Sequence, residues 1–346
     1  MFKNLKVVEL ASVLAGPLAG TFFAELGAKV IKIENKRTNG DVTRTWKLPT
    51  ESKERSISAY YCAANFSKES VLLDMTDRSD YEILINHIKD ADIVICNYKS
   101  GTAKKLKVAY DDLKPHNASL IYAELTGFGD DDPRPAFDVV LQAETGFMFM
   151  NGEPDRNPVK MPVALIDILA AHHLKEAVLC AIINKLTTGK GKHIKVSLYE
   201  SALASLANQA TNWLMEGHIP QPMGTQHPNI APYGDMYLTK DGKLLVLAVG
   251  SDKQFENLCM LLGLVFDEFG TNAQRVAKRD ALNQKISECI AKKASGFWVS
   301  ELEQSNIPYG IVKNMQEVFK DSKTKNMLLH EVIEGIETVR VKTALV

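Results

Sequence analysis

At 346 residues the chain can form two domains of ordinary size, each with its own core. Its 45% hydrophobic and 24% charged residues exclude a disordered protein, and 41 basic against 42 acidic side chains leave a formal charge of -1. No global field points to nucleic acid or to an anionic membrane surface, so any handling of anions has to be local. The five cysteines, Cys62, Cys96, Cys180, Cys259 and Cys289, are widely spaced without a CxxC pair and read as reduced thiols. MFKNLKVVELASV has no signal-like apolar region, and no run approaches the roughly 20 apolar residues of a membrane span. The expected location is the cytoplasm.

LKVVEL (5–10) reads as a strand, LAGTFFAEL (18–26) as a helix, Gly27 as a helix stop and AKVIKIE (28–34) as a second strand. SVLLDM (70–75), a helix over about Arg78 to Lys89, DIVICN (92–97) and SLIYAEL (119–125) continue the alternation, which predicts a parallel sheet. PVALIDILAAHHLKEAVL (162–179) places one carboxylate, Asp167, in an apolar run before a helix that ends at Thr188 and Gly189. GKGKHIKVSLYE then gives another strand and SALASLANQATNWLMEG (201–217) one long helix. The Pro- and Gly-rich stretch 217–234 is the expected boundary of a smaller α+β domain containing a hairpin turned at Asp241-Gly242. The expected division is 1–216 for a large domain, 217–315 for a small one, and 316–346 for a segment returning toward the large domain.

An open parallel sheet takes its ligand at the C-terminal ends of its strands. The first loop there, ASVLAGPLAG, lacks GxGxxG, which weakens a dinucleotide reading even though Glu34 stands where such domains keep a ribose-binding acid. In order along the chain, VVELASVLAGPLAGTFFAELGAKVIKIEN, GDVTR, LLDM, ADIVICNY, LIYAELTGFG, QAETG, the Asp167 segment and TGKGKHIKVSLYE resemble the family III CoA-transferases (CaiB/BaiF type), whose fold is shared by α-methylacyl-CoA racemases. The likeness spans about residues 5 to 205 and continues more weakly through YLTKDGKLLVLAVG and NIPYGIVKNMQEVF.

The resemblance implies a Rossmann-like large domain, a small α+β domain and a ring-shaped chain interlocked with a second copy. It implies acyl-CoA and a small carboxylic acid as substrates, with coenzyme A as substrate rather than tightly bound cofactor. It implies a nucleophilic aspartate that follows a strand and precedes a helix, the place of Asp167. CoA contacts carry over to Val13, Leu14 and Ala15, to Asn35 and Lys36 before Arg37, and to Leu73, Asn97, Tyr98 and Lys105. Where the racemases have histidine before aspartate, this chain has Phe137 before Asp138, which disfavours proton exchange at an α-carbon and leaves Asp138 as a supporting carboxylate or a capping one. Racemase or isomerase chemistry, and a CoA-binding protein without turnover, are the alternatives. The second is motivated by Leu14 in place of a glutamine, by HPNIAPYG in place of a glycine-rich loop, and by a chain shorter than many relatives after VRVKTALV.

From the residues alone, Asp167 is also a favourable helix N-cap, worth about 1 kcal/mol, whose charge the helix dipole would keep ionised. His172 and His173 point to other helix faces and read as packing or interface residues. Lone His87, His116, His193, His218, His227 and His330 lack ligand spacing, so no metal site is expected. The NKR (35–37) and KKLK (104–107) clusters fit either solvated faces or CoA phosphates, and Trp46 either a substrate mouth or a loop anchor.

Overall fold

The computed structural model describes residues 1–265 and 267–346. They fall into two compact units, one of residues 1–148, 160–219 and 326–346, the other of 149–159 and 220–325.

The first unit is built on a six-stranded sheet in the order β3-β2-β1-β4-β5-β6, formed by Lys6–Leu10 (β1), Lys29–Asn35 (β2), Lys68–Leu73 (β3), Ile93–Cys96 (β4), Ile121–Thr126 (β5) and Lys192–Ser197 (β6). Every neighbouring pair is parallel. This is the doubly wound order, and its topological switch point lies between β1 and β4. The two-residue alternation of strands distributes the core: Val7, Val30, Ile93, Ile95 and Ile121 pack on one face, Val8, Leu10, Ile31, Ile33 and Val94 on the other. The first face is covered by helices α1 (Ala15–Glu25) and α2 (Leu165–Thr188).

Helix α2 ends as expected, at Thr188 with Gly189 in the left-handed conformation. The segment expected as one helix over 201–217 is two, Leu198–Ala204 and Ala207–Glu216, broken where Ala207 takes φ 48°. No strand precedes α2: residues 158–164 are irregular, because Pro158 and Pro162 remove donors that a sheet ladder needs. A terminal hairpin of Leu328–Ile333 and Ile336–Val341 completes the unit, with Ile333 and Ile336 against Tyr61 and Cys62. Arg340 pairs with buried Glu25 at 2.6 Å, and Glu25 also accepts the Thr343 and Ala344 amides.

The second unit holds a three-stranded antiparallel sheet of Tyr233–Leu238, Leu244–Ala248 and Tyr309–Ile311, with Gly242 in the first turn at φ +76°. Helices Asp252–Leu262, Arg279–Ile290 and Ser295–Gln304 close its core around Phe255, Leu282, Ile286 and Trp298. Among the described residues no helix is long and apolar enough to cross a membrane.

Beneath the first loop the sheet carries charge. Glu9 of β1 is in register with Lys32 of β2, and both are fully buried. The Glu9 carboxylate binds Lys32 Nζ at 3.0 Å and Lys68 Nζ at 2.7 Å, and it lies so close to α1 that a Cβ on Gly20 would sit 1.9 Å from Oε2. Gly20→Ala is therefore expected to destabilise the protein by about 1–3 kcal/mol through overpacking. The expected readout is a lower denaturant midpoint with an unchanged slope.

Candidate active site

Two adjacent cavities open at the C-terminal end of the sheet, about 240 and 680 Å³ in volume, and Ser12 and Tyr98 line both. The smaller contains Val13, Leu14, Ala15, Asn97, Phe137 and Asp167. The larger contains Asn35, Leu73 and Lys105. Eight of the nine expected CoA-contacting residues thus line these two spaces. The ninth, Lys36, lines neither and points its ammonium at Asp80, 3.4 Å away, while its neighbour Arg37 faces the larger cavity.

Asp167 is 8% exposed and lies in the first turn of α2, at the third helical residue rather than the cap. The cap residue, Ala164, has no side-chain acceptor; instead Asp138 accepts the Ile166 amide at 2.7 Å from across the site. Its other oxygen accepts Gln142 Nε2 at 2.6 Å. The capping expected of Asp167 is therefore done by Asp138, because the helix begins at Leu165, two residues earlier than the aspartate. Among the described residues, Asp167 accepts no hydrogen bond. Burial first, and the Asp138 charge second, push its carboxyl up to about 7. Burial works against the expectation that the helix dipole keeps it ionised: a dipole contribution of about 0.3–1 kcal/mol is smaller than the desolvation it opposes.

The first loop is held by side chains. Asn97, at the end of β4, accepts the Ser12 amide at 3.0 Å and donates to the Ser12 carbonyl at 2.8 Å, bridging the switch point with both ends of its amide. Lys32 Nζ donates to the Ala11 carbonyl at 2.7 Å, and Lys68 Nζ to the Pro17 carbonyl at 2.8 Å. Val13 has φ 71°, an uncommon conformation for a β-branched residue, and its amide is shared by the two Asp41 oxygens at 3.4 and 3.2 Å. Asp41 also pairs with Lys32 at 3.1 Å. Burial opposes the Lys32 ammonium, but Glu9 and Asp41 more than offset it and raise its pKa, whereas burial pushes Lys68 down to about 7.

GDVTR makes a second buried cluster. Glu34 accepts from Arg44 at 2.8 and 2.7 Å, from Tyr61 at 2.8 Å, from Ser70, and from the Asp41 amide at 2.6 Å. Burial works against its charge, but these donors, Arg44 foremost, hold its carboxyl down at about 2. A carboxylate so engaged has no oxygen left for a ribose, which removes the dinucleotide reading. Gly40, at φ +101°, leaves room for the cluster: a Cβ there would lie 2.6 Å from Glu34 and 2.7 Å from Arg44.

The loop after β5 also lines the smaller cavity, through Asp130, Asp132 and Arg134. Arg134 pairs with Asp132 at 2.9 Å and Glu144 at 2.8 Å and lies 4.1 Å over the Phe128 ring. His172 is exposed and His173 half-buried, and neither lines either of the two cavities. Trp46 packs edge-on against Tyr60 at 5.2 Å, and the charge of Asp167 helps burial to raise the Tyr60 pKa. The residues not anticipated from sequence are the supports: Glu9, Lys32, Lys68 and Asp41.

Comparison with known proteins agrees with this architecture. The model of CoA-transferase family III matches residues 2–345. The chain belongs to that family. It is 37% identical over 332 residues to the succinate–glutarate CoA-transferase of Agrobacterium fabrum, covering 93% of this chain and 82% of that protein. It is 32% identical to the acetyl-CoA:oxalate CoA-transferase of Acetobacter aceti, covering 95% and 85% respectively. The crystal structure of a CaiB/BaiF family protein from Brucella suis superposes with a TM-score of 0.86 at 36% identity, over 99% of this chain and 91% of that one. A family III CoA-transferase acts on acyl-CoA, so coenzyme A is its substrate.

The perturbed carboxyl of Asp167 makes stability depend on pH. Its folded pKa of about 7 lies above the ordinary 3.8, so the native state binds the extra proton between these values and loses stability as pH rises through that window. Asp167→Asn should be near neutral at pH about 4 and stabilising above pH about 7. The gain should reach up to about 4 kcal/mol, since each tenfold change in proton affinity is worth about 1.4 kcal/mol. Paired urea titrations at the two pH values would show the difference.

Proposed function

We propose that this protein moves coenzyme A from an acyl-CoA donor to a small carboxylic acid, with Asp167 as covalent nucleophile. The observation that carries this reading is a nearly buried carboxylate, free of hydrogen-bond donors among the described residues, in the cavity that adjoins the larger one at the switch point. A carboxylate without donors keeps its electron pairs for attack, and partial desolvation raises its basicity.

In the first step an Asp167 oxygen attacks the thioester carbonyl carbon, the C–S bond breaks and CoA leaves as thiolate, giving a mixed anhydride. The thiolate then attacks the Asp167 carbonyl carbon of that anhydride and expels the donor acid, leaving an aspartyl-CoA thioester. The incoming carboxylate attacks the same carbon and releases thiolate, which takes the new acyl group from the second anhydride and restores Asp167. Each tetrahedral oxyanion needs amide donors, and the backbone at the start of α1, around Leu14 and Ala15, offers them beside the same cavity. The nucleotide end of CoA is assigned to the larger cavity, between Leu73 and Asn35, with Arg37 and Lys105 as cations for its phosphates. Lys99 and Arg134 are the cations lining the smaller cavity. Arg134 is occupied by Asp132 and Glu144, so it is Lys99, with the relatives' named acids, that supports short dicarboxylic acids as the acceptor class.

Incubation with acyl-CoA followed by hydroxylamine should mark Asp167, detected by mass spectrometry of the peptide carrying it. An Asp167→Ala chain that keeps full transfer would sink the reading. The rate at subsaturating substrate should fall about tenfold per pH unit below about 7, as the nucleophile protonates. Asp138→Asn removes the neighbouring negative charge and should move that acid limb to lower pH; a limb that stays in place would exclude Asp138 from the coupling.

A further inference from the structure

Three successive residues of the first loop are each fixed by a side chain from elsewhere in the chain: Ala11 by Lys32, Ser12 by Asn97 and Val13 by Asp41. Of these, only Val13 has a conformation that the chain resists. A β-branched residue at φ 71° persists only where its surroundings over-determine it, and glycine would take the same φ unaided. The Val13 amide meets only Asp41 among the described residues, and Asp41 is itself immobilised. Its Oδ1 accepts the Thr43 amide at 3.0 Å and hydroxyl at 2.8 Å, and its Oδ2 pairs with Lys32. The Asp41 side chain is 1% exposed and both of its oxygens are engaged, so it has no free oxygen to offer a reacting group.

We propose that Asp41 is a positioning residue for this site, holding Val13 in the left-handed turn that sets the first loop across the cavity containing Asp167. It acts on the reaction through Val13 and the loop amides after it. The inference rests on the CoA-transfer reading for its kinetic consequence and on the loop geometry alone for its structural one.

The test compares Asp41→Asn, Asp41→Asn with Val13→Gly, and the unaltered chain. Asp41→Asn should lower kcat for CoA transfer at least tenfold with less than a threefold change in KM for acyl-CoA. Hydrogen exchange in the peptide carrying Val13 should become at least tenfold faster. Adding Val13→Gly should recover at least threefold of the lost kcat, a rescue that a merely structural role for Asp41 would not give. Wild-type kcat in Asp41→Asn, or a double variant no faster than the single one, overturns the proposal. Should Asp41→Asn fail to fold, Thr43→Val removes one donor to Asp41 and keeps the Lys32 pair. Faster exchange at Val13 with a lower kcat then supports the proposal, and neither change overturns it. Transfer retained by Asp167→Ala would defeat the reaction assigned above, while the exchange of Val13 would still decide the role of Asp41.

Discussion

The ion quartet of Glu9, Lys32, Lys68 and Asp41 is the interaction on which the rest of the site depends. Two anions and two cations are buried under the loop after β1: Lys32 and Lys68 donate to carbonyls, Asp41 accepts the Val13 amide, and Glu9 joins the two lysines. Such groups are weak evidence for stability, since apolar residues of equal volume often do as well. Their effect here is on geometry. Glu9 is shared between two lysines that grip the carbonyls of Ala11 and Pro17 on either side of the loop, so the loop's entry and exit are fixed by one carboxylate. Removing a single member would leave an uncompensated buried charge, at a cost of about 3–5 kcal/mol.

Asp167 contrasts with those carboxylates. Glu34 is buried and saturated with donors, and its charge is firmly held; Asp167 is buried and bare, and its charge is costly. Asp138 caps α2 in place of Asp167 by accepting the Ile166 amide. The same residue type at nearby positions therefore does opposite things, one engaged by hydrogen bonds and one kept open to a substrate. Environment decides this, not identity.

Much of the architecture is readable in the sequence because its signals are local. Strand runs alternating with helical spacing give the parallel sheet, Gly189 and Asp241-Gly242 mark a helix end and a turn, and the ordered segments from VVEL to SLYE carry the family. The supports are harder to see, because they pair residues far apart in sequence: Glu9 meets Lys32 and Lys68 only once three strands are aligned. A trace is present all the same. Parallel strands buried on both faces read as continuous apolar runs, so a glutamate in KVVEL and a lysine in KVIKIEN are anomalies that a charge pair resolves. The start of α2 is hidden for another reason, since an aspartate before an apolar run looks like a cap until a distant Asp138 supplies one. Lys36 sits among residues suited to the CoA phosphates, and the turn that follows β2 directs it to Asp80 instead.

The first unit is assembled from separated pieces of chain, and its last piece, 326–346, follows the whole of the second unit in sequence. During synthesis, residues 1–148 emerge with the Glu25 carboxylate lacking Arg340 and with Arg44 lacking Glu334, its 2.7 Å partner in the terminal hairpin. Both partners are supplied only when residues 326–346 have been made. Order of translation and order of completion are thus opposed in this molecule, and in the span between them Glu25 and Arg44 lack those partners.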